Sequence, residues 1–221
     1  MNSSIQNKVY YSHLRWPIIQ EIQPGKNKIL DVGCGEGVLG AWLLEHGYAE
    51  SVVGIEVFEA AFKLATEKLT RVINCDLNKT NKDELRKVLE GDKFNYIICG
   101  DVLEHLVDPW QMLSGLVEYL APDGKVIVSL PNVRHWSVWI PLVFRGRWEY
   151  RDRGIMDRTH LRFFTKSSAL SLLVNAGLSV SECKPLIGGL SRLMNIFTMS
   201  LMSGILGRQW VLVGKKTKNH I

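Results

Sequence analysis

The sequence predicts an α/β fold in which a parallel sheet is doubly wound by helices. Short β-branched runs alternate along the chain with stretches of helical period, and a glycine-rich turn follows the first of these runs. Such β-α-β alternation is typical of a parallel sheet, and right-handed crossovers place helices on both of its faces. We interpret the 221 residues as a single domain over residues 1–221.

The predicted elements follow one another in a regular order. An amphipathic helix over residues 8–23 comes first and ends at the breaker Pro24-Gly25. Strands are predicted at Lys28–Val32, Ser51–Ile55, Arg71–Cys75, Phe94–Cys99, Gly124–Leu130, Leu178–Leu186 and Gln209–Gly214. Helices are predicted at Gly37–His46, Phe58–Leu69, Lys82–Leu89, Pro109–Leu120 and Ser167–Ala176, with Gly177 as a C-cap and one further helix before the last strand.

The alternation is interrupted once, between the fifth and sixth strands. Residues 131–165 are rich in tryptophan and arginine and contain no clear strand, and a connection of this length is typically a functional lid. Residues 131–166 also hold eight cations against three acids, which accounts for the whole net charge of +5. A local basic field attracts anionic partners. The segment matches no DNA- or RNA-binding module, so we expect no nucleic-acid partner.

The turn after the first strand predicts a ligand site. Gly33 and Gly35 let the backbone approach a ligand at the carboxyl edge of the sheet. The dinucleotide fingerprint GxGxxG would need a third glycine where the chain has Val38. Asp31 would repel a pyrophosphate, whereas it suits a ligand that carries an ammonium group and a sulfonium. S-adenosylmethionine is such a ligand.

Further acidic residues follow the next strands at the same predicted edge. Glu56 ends the second strand, where a carboxylate can accept hydrogen bonds from both hydroxyls of a ribose. Asp76 follows the third strand and could accept from an adenine amino group, and Gly100 with Asp101 would line the methionine end. The alternative for Glu56 or Asp76 is a cap on the helix that follows.

The order of these residues, Asp31, Gly33, Gly35, Glu56, Asp76 and Asp101, resembles the motifs of class I S-adenosylmethionine-dependent methyltransferases. The stretches Asp101–Leu106, Leu130–Trp136 and Gly154–Thr165 are similar to methyltransferases associated with bacterial cell-surface polysaccharide and glycosyltransferase genes and, more distantly, to ubiquinone-biosynthesis O-methyltransferases. The resemblance implies S-adenosylmethionine as the cofactor. It also implies a Rossmann-like, seven-stranded sheet with an antiparallel last strand and a lid between strands 5 and 6. It leaves the acceptor open, because acceptors differ on a shared fold.

His160 is the candidate catalytic residue. A hydroxyl acceptor benefits from a base, and a neutral imidazole in the basic lid could take its proton. The alternative is that His160 only hydrogen-bonds the backbone of its own loop.

A second histidine raises the question of a metal. Asp101, Glu104 and His105 would share one face of a helix and could then gather a divalent ion. Glu104 and His105 can equally brace the adjoining helix, and we expect no metal here.

The lid also supplies candidate residues for the acceptor, namely Arg134, His135, Arg158 and Arg162. Arginine suits the bidentate capture of an acidic group such as that of a nucleotide-linked, phosphorylated or uronic sugar. The alternative is a surface ion pair with Asp152 or Asp157. The apolar stretch Trp136–Trp148 ends in cations and could contact a membrane surface, or pack as a lid or a dimer contact.

We therefore expect an enzyme that methylates an oxygen of a sugar, a glycan precursor or a similar small anionic acceptor, with a quinone-like phenol or a lipid-linked substrate as the alternative. A cofactor-binding regulatory or scaffold partner of a neighbouring enzyme is the rival class of function. We expect a monomer or homodimer. The chain has no apolar leader, no apolar run long enough to span a membrane and four widely spaced cysteines, so we expect a cytoplasmic protein.

Overall fold

A seven-stranded sheet forms the centre of the molecule. The computed structural model describes residues 14–89, 91–188 and 201–216. The strands are β1 (Lys28–Val32), β2 (Ser51–Glu56), β3 (Arg71–Asn74), β4 (Phe94–Gly100), β5 (Leu120–Pro131), β6 (Leu178–Leu186) and β7 (Gln209–Lys216). They lie side by side in the order β3-β2-β1-β4-β5-β7-β6.

Helices connect the strands. They are α1 (Trp16–Ile19), α2 (Val38–Glu45), α3 (Glu59–Thr66), α4 (Lys82–Leu89), α5 (Pro109–Val117), α6 (Trp136–Arg145), α7 (Lys166–Asn175) and α8 (Ser203–Leu206). A single 3₁₀ turn, Leu103–His105, follows β4. Within the described ranges, no helix is both long enough and apolar enough to cross a bilayer.

Strand directions follow from the crossovers. β1 to β5 run parallel to one another, and β7 pairs antiparallel with both β5 and β6. This arrangement confirms the predicted Rossmann-like sheet and its antiparallel last strand. The chain winds away from β1 in one direction through β2 and β3, and in the other through β4 and β5. The carboxyl ends of β1 and β4 therefore flank a crevice of the kind in which such sheets bind ligands.

Each face of the sheet buries its own apolar cluster because successive strand residues point to opposite faces. Leu30 and Ile97 pack with the helices α4, α5 and α7. Ile29 and Ile98 pack with α1, α2 and α3 on the other face. The sheet is covered on both sides, as the doubly wound prediction requires.

The predicted N-terminal helix is wrong in its described part. α1 spans only Trp16–Ile19, with Pro17 in its first turn. Proline lacks the N–H and clashes with the preceding turn inside a helix, so this position can begin a helix and cannot continue one. Residues 20–23 form turns, and residues 8–13 of the prediction lie outside the described residues.

Most other predicted bounds differ from the structure by a few residues. The predictions for β1, β6 and α4 match the observed ranges. β5 begins earlier than predicted, at Leu120, because Leu120 pairs with Phe94 before the register shifts. The last predicted helix is represented by α8, and residues 189–200 lie outside the described part of the chain.

The predicted lid lies where the sequence places it, between β5 and α7, and it is more regular than a loop. Residues 132–165 contain α6, which ends at Gly146 in a left-handed C-cap. The segment has a small core of its own made by Val138, Ile155 and Met156. Amides of its last part bind the 3₁₀ turn, where the N–H groups of Leu161 and Arg162 donate to the Glu104 carbonyl. The insertion is thus attached to the loop that follows β4.

Candidate active site

The glycine-rich turn after β1 has the left-handed backbone that its glycines suggest. Gly33 and Gly35 have φ values of 70° and 57°, in the left-handed region that glycine adopts without cost. A Cβ at Gly33 would also lie 3.0 Å from a methyl carbon of Val102, so a side chain there would be crowded. The turn keeps its main chain open toward the carboxyl edge of the sheet.

Asp31 lies next to this turn and is buried, with 4% of its surface exposed. Burial raises its pKa to about 7, Arg15 opposes the rise and the charge of Glu56 adds to it. A carboxyl group held in this state gains stability from a cation placed against it, because the cation offsets the cost of burying the negative charge. Asp31 is therefore suited to the positively charged end of a ligand.

Glu56 is held by the backbone on both sides. Its Oε2 accepts from the Gly35 N–H at 2.9 Å, and its Oε1 accepts from the Phe58 N–H at 2.8 Å. The carboxylate thereby ties the glycine-rich turn to the end of β2. Because a carboxylate has about four acceptor positions, each oxygen can still accept from a ligand hydroxyl.

Asp76 makes local contacts, but it does not cap the next helix as the alternative interpretation expects, because Asn81 accepts from the first backbone amides of α4. Its Oδ1 accepts from the Asn78 N–H at 3.0 Å, and its Oδ2 pairs with Lys79 at 3.1 Å. These bonds define the turn after β3. The predicted contact with adenine remains a prediction.

Asp101 follows Gly100 at the end of β4 and is the centre of a polar cluster. It has a φ of 52°, unusual for a residue with a side chain, and its Oδ1 accepts from the Ser129 hydroxyl at 2.8 Å. Gln209 at the start of β7 also donates to it. Arg15 forms an ion pair with its Oδ2 at 2.5 Å.

Arg15 is a site residue that sequence reasoning missed. Its guanidinium lies over the backbone at Gly100, where an added Cβ would come within 3.0 Å of Nη1. It is therefore the cation beside the carboxyl ends of β1 and β4. The only signal in the sequence was an arginine at the N-cap of α1, two residues before Pro17.

His160 is buried and faces a buried carboxyl group. Its Nδ1 lies 3.0 Å from the Ile155 carbonyl, and its Nε2 lies 4.0 Å from Oε1 of Glu104. The ring of His105 packs edge-on against it, with 4.7 Å between the ring centroids. Burial first, and the neighbouring His105 second, lower the pKa of His160. The backbone bond that the alternative interpretation expects is thus present, and Nε2 still points toward Glu104.

The sequence grouped Asp101 with Glu104 and His105 on one helix face, and the structure shows that Asp101 does not belong to this cluster. The stretch forms a short 3₁₀ turn instead of an α-helix, and Asp101 is engaged by Arg15. His160 takes the third place, so that Glu104, His105 and His160 converge. Sequence spacing could not find this partner because the insertion supplies it.

The predicted acceptor residues have separate contacts. His135 is buried as the N-cap of α6 and accepts from the Ser137 N–H, and burial together with Arg208 lowers its pKa to about 4. Arg158 pairs with Asp152 at 2.7 Å on the surface, as its alternative expects. Arg162 and Arg134 complete the set.

Arg162 fixes the insertion to the loop before α5. Its Nη2 donates to the Val107 carbonyl, and its guanidinium lies 5.9 Å from the centre of the Trp110 ring. Arg134 is exposed, and its backbone N–H donates to Asn132 Oδ1. The contacts of the four predicted residues therefore do not bring them together at a single site.

A family described as "Methyltransferase domain" matches residues 10–182 of the chain. The chain belongs to this methyltransferase family. It is a class I, S-adenosylmethionine-dependent methyltransferase, and S-adenosylmethionine is its cofactor. The residues fit this cofactor, because the buried Asp31 favours a neighbouring cation and Glu56 presents backbone-anchored oxygens at the end of β2.

Two ubiquinone biosynthesis O-methyltransferases are among the similar proteins. The one from Rickettsia typhi is 28% identical over 170 residues, which cover 76% of this chain and 66% of the relative. The one from Hahella chejuensis is 32% identical over 164 residues, which cover 73% of this chain and 66% of the relative. The chain thus spans about two thirds of the length of these relatives.

Solved structures share the fold. A SAM-dependent methyltransferase from Archaeoglobus fulgidus has a TM-score of 0.67 at 18% identity, covering 95% of this chain and 94% of that one. An S-adenosylmethionine-dependent methyltransferase from Mesorhizobium loti has a TM-score of 0.63 at 16% identity, covering 91% and 97%. Both share the overall fold of this chain.

Proposed function

We propose that the protein transfers a methyl group from S-adenosylmethionine to an oxygen of a small anionic acceptor, a sugar or glycan precursor. The observation that supports an oxygen acceptor is the Glu104–His160 pair, which lies directly after β4 and so next to the predicted methionine end of the cofactor site. The cofactor supplies a methyl carbon activated by a sulfonium. The protein must then hold both reactants in line and accommodate the proton of the hydroxyl, and such positioning contributes much of the rate.

Strand-end residues would hold the cofactor in this proposal. Asp31 lies toward the charged methionine end, Glu56 toward the ribose and Asp76 toward the adenine, while Gly33 and Gly35 leave room for the backbone to approach. Gly100 and Asp101 would line the methionine end together with Arg15, whose guanidinium can meet a carboxylate.

His160 is the catalytic residue that we propose on the acceptor side. Its Nδ1 faces the Ile155 carbonyl and so carries the proton of the neutral ring, which leaves the Nε2 lone pair available. An acceptor hydroxyl can use that lone pair directly, as it would a general base. The hydroxyl can also reach the lone pair indirectly, through a molecule or ion held between His160 Nε2 and Glu104.

The insertion would supply acceptor specificity. Arg134 and Arg158 are exposed cations and would meet an acidic group of the acceptor. To bind the acceptor as proposed, His135 and Arg162 would use the side-chain atoms that make no contact within the protein. The charge excess of residues 131–166 supports an anionic acceptor over a neutral one.

A phenolic, quinone-like acceptor is the second candidate. The names of the curated relatives favour it. A lipid-linked acceptor is compatible with α6, where Val143 and Phe144 are 66% and 72% exposed beside Arg145. We propose that this face contacts a membrane surface when such an acceptor is used.

The compartment of the enzyme is proposed from the state of its cysteines. All four cysteines are free thiols, which supports a reducing, cytoplasmic compartment. Residues 1–221 are proposed to form a single domain that acts as a monomer or homodimer, without nucleic acid.

A transfer screen tests the proposal. The full chain is incubated with S-adenosylmethionine labelled on its methyl group and with panels of nucleotide sugars, uronic sugars and phenols, with and without lipid chains. Label on a sugar hydroxyl supports the first candidate, and label on phenols alone replaces it with the second. Cofactor binding without transfer to any class, or transfer only when a neighbouring enzyme is present, would favour the regulatory or scaffold role.

A further inference from the structure

A small open cavity lies along one face of α6, within the insertion. We infer that this cavity binds a phosphate group of the methyl acceptor through Arg145 and Arg151, which both line it. Its volume is about 130 Å³, below the roughly 300 to 1,000 Å³ of pockets that enclose a whole small ligand. The cavity therefore has room for one group of a larger molecule. This inference rests on the proposed function and names the acidic group of its acceptor.

The charge of the cavity lining is positive and only partly compensated. Arg147 also lines the cavity and pairs with Glu149 at 3.8 Å, so these two charges largely cancel. Arg145 and Arg151 are exposed, and neither forms an ion pair with any described residue. Two guanidinium groups beside one cavity repel each other, and a dianion held between them removes this repulsion. A phosphate monoester carries nearly two negative charges at neutral pH.

The main chain fixes both arginines and leaves their side chains for a ligand. Arg145 is the last residue of α6 and is followed by the left-handed C-cap Gly146. The Arg151 N–H donates to the Met156 carbonyl at 2.7 Å, and the Arg151 carbonyl accepts from the Arg158 N–H at 2.9 Å. Arg158, an exposed cation already proposed for the acceptor, is thus held next to Arg151. The planar fork of each guanidinium matches the oxygens of a phosphate.

The cavity and the proposed catalytic residue are separated by one aromatic ring. Trp148 lines the cavity, and its ring packs edge-on against Phe163 with 5.3 Å between the centroids. The Phe163 ring in turn lies 6.3 Å from the ring of His160. Met156 also lines the cavity, and the carbonyl of its neighbour Ile155 is the one that faces His160 Nδ1. We expect one acceptor to extend from the cavity, where its phosphate binds, to His160, where its hydroxyl reacts.

The two free charges favour a phosphate over a carboxylate or a membrane surface. A carboxylate carries one negative charge, so it would leave one of the two guanidinium groups uncompensated. A bilayer surface attracts all exposed cations of a segment alike and requires no cavity between them. The exposed Arg153, which belongs to the same segment and does not line the cavity, separates these cases.

Calorimetric titration of the full chain with glucose 1-phosphate tests the cavity without methyl transfer. We expect one site per chain, with binding weakened about ten-fold or more in Arg145→Gln and in Arg151→Gln, because each substitution removes charge-assisted hydrogen bonds. Arg153→Gln is the matched control and should bind normally. Glucuronate, which carries one carboxylate, should bind more weakly than glucose 1-phosphate. All three variants should bind S-adenosylhomocysteine like the wild type, which shows that they are folded.

The absence of glucose 1-phosphate binding overturns the inference, and so do equal losses in Arg151→Gln and Arg153→Gln. Binding to phosphatidylglycerol vesicles alone, weakened equally in all three variants, also overturns it, in favour of a membrane surface. Transfer activity tests the proposed function separately. Methyl transfer to a sugar without any binding of glucose 1-phosphate removes the phosphate cavity and leaves the methyltransferase. Phosphate binding that needs Arg151, without transfer to any sugar, keeps the cavity and removes the proposed acceptor class.

Discussion

At the scale of single residues, the site consists of buried acids whose neighbours determine what they can bind. Asp31 illustrates this, since it is buried and its pKa is raised to about 7. Glu56 differs because two backbone amides already stabilise its charge. The first is therefore suited to a cation and the second to hydroxyl groups.

Asp31 should make stability depend on pH. The unfolded carboxyl has a pKa near 3.8 and the folded one near 7, so the folded state holds its proton more tightly. Stability is thus lost as pH rises from about 4 to about 7, by at most about 4 kcal/mol. Denaturant melts of wild type and Asp31→Asn should diverge over this range, with the variant more stable at pH 8. Parallel curves would contradict the raised pKa.

Glu56 should control cofactor affinity. Removal of its carboxylate in Glu56→Ala loses the two proposed ribose hydrogen bonds, and we expect binding of S-adenosylhomocysteine to weaken by roughly 1.5 to 3 kcal/mol. Calorimetry measures this directly. Glu59→Ala, an exposed acid in the first turn of the next helix, is the control and should bind normally. Unchanged affinity in Glu56→Ala would remove Glu56 from the site.

His160 should control turnover and leave cofactor affinity unchanged. We expect His160→Ala to lower kcat by about 100-fold to 10,000-fold, since its Nε2 is the group proposed to act on the acceptor hydroxyl. Affinity for S-adenosylhomocysteine should change by no more than a few-fold, because Asp31 and Glu56 are untouched. Steady-state kinetics with the acceptor found in the screen measures kcat, and a near-normal value would contradict the assignment.

At the scale of elements, the insertion is the part of the chain that we propose acts on the acceptor. It carries the charge excess, and its final segment is bound to Glu104 through backbone amides. Arg158 is exposed on it and pairs only with the exposed Asp152 among the contacts described, and such surface pairs are weak. Arg158 can therefore exchange this partner for an anionic acceptor at little cost.

We accordingly expect Arg158→Ala to raise the KM for the acceptor several-fold and to leave kcat and cofactor affinity near their wild-type values. The effect should shrink as salt rises, because salt screens exposed charges. Initial rates at two ionic strengths measure it. Arg147→Ala, which removes another exposed arginine of the insertion, tests whether the site or the overall charge matters. Equal effects of the two substitutions would assign the role to the charge of the whole segment.

Sequence patterns predicted the regular elements well and the long-range contacts poorly. The apolar run of β1 shows its bounds because burial on a sheet requires such residues. Pro17 could have corrected the first helix, since its ring cannot continue one. By contrast, Arg15 meets Asp101 across 86 residues, and His160 meets Glu104 through the fold of the insertion. No spacing rule contains these contacts, because tertiary packing creates them.

At the scale of the whole molecule, the proposed cofactor site lies at one edge of the folded sheet. Cofactor binding is therefore coupled to folding. A ligand that binds only the folded state stabilises it by mass action, by about 2.7 kcal/mol at one hundred times its Kd. For a domain of this size the corresponding rise in Tm is roughly 5 to 10 °C. S-adenosylhomocysteine should produce it in a thermal melt, and NAD should not. A matching shift with NAD would contradict the cofactor assignment at Glu56.

The position of β7 has a consequence for how the protein folds during its synthesis on the ribosome. β6 is made before β7, yet it joins the sheet only through β7, which also brings Gln209 to Asp101. A nascent chain that has not yet released residue 216 would therefore carry an unpaired strand edge and an incomplete binding pocket. A premature stop before Gln209 should yield a product that aggregates and does not bind the cofactor, because β6 joins the sheet only after β7 has been made.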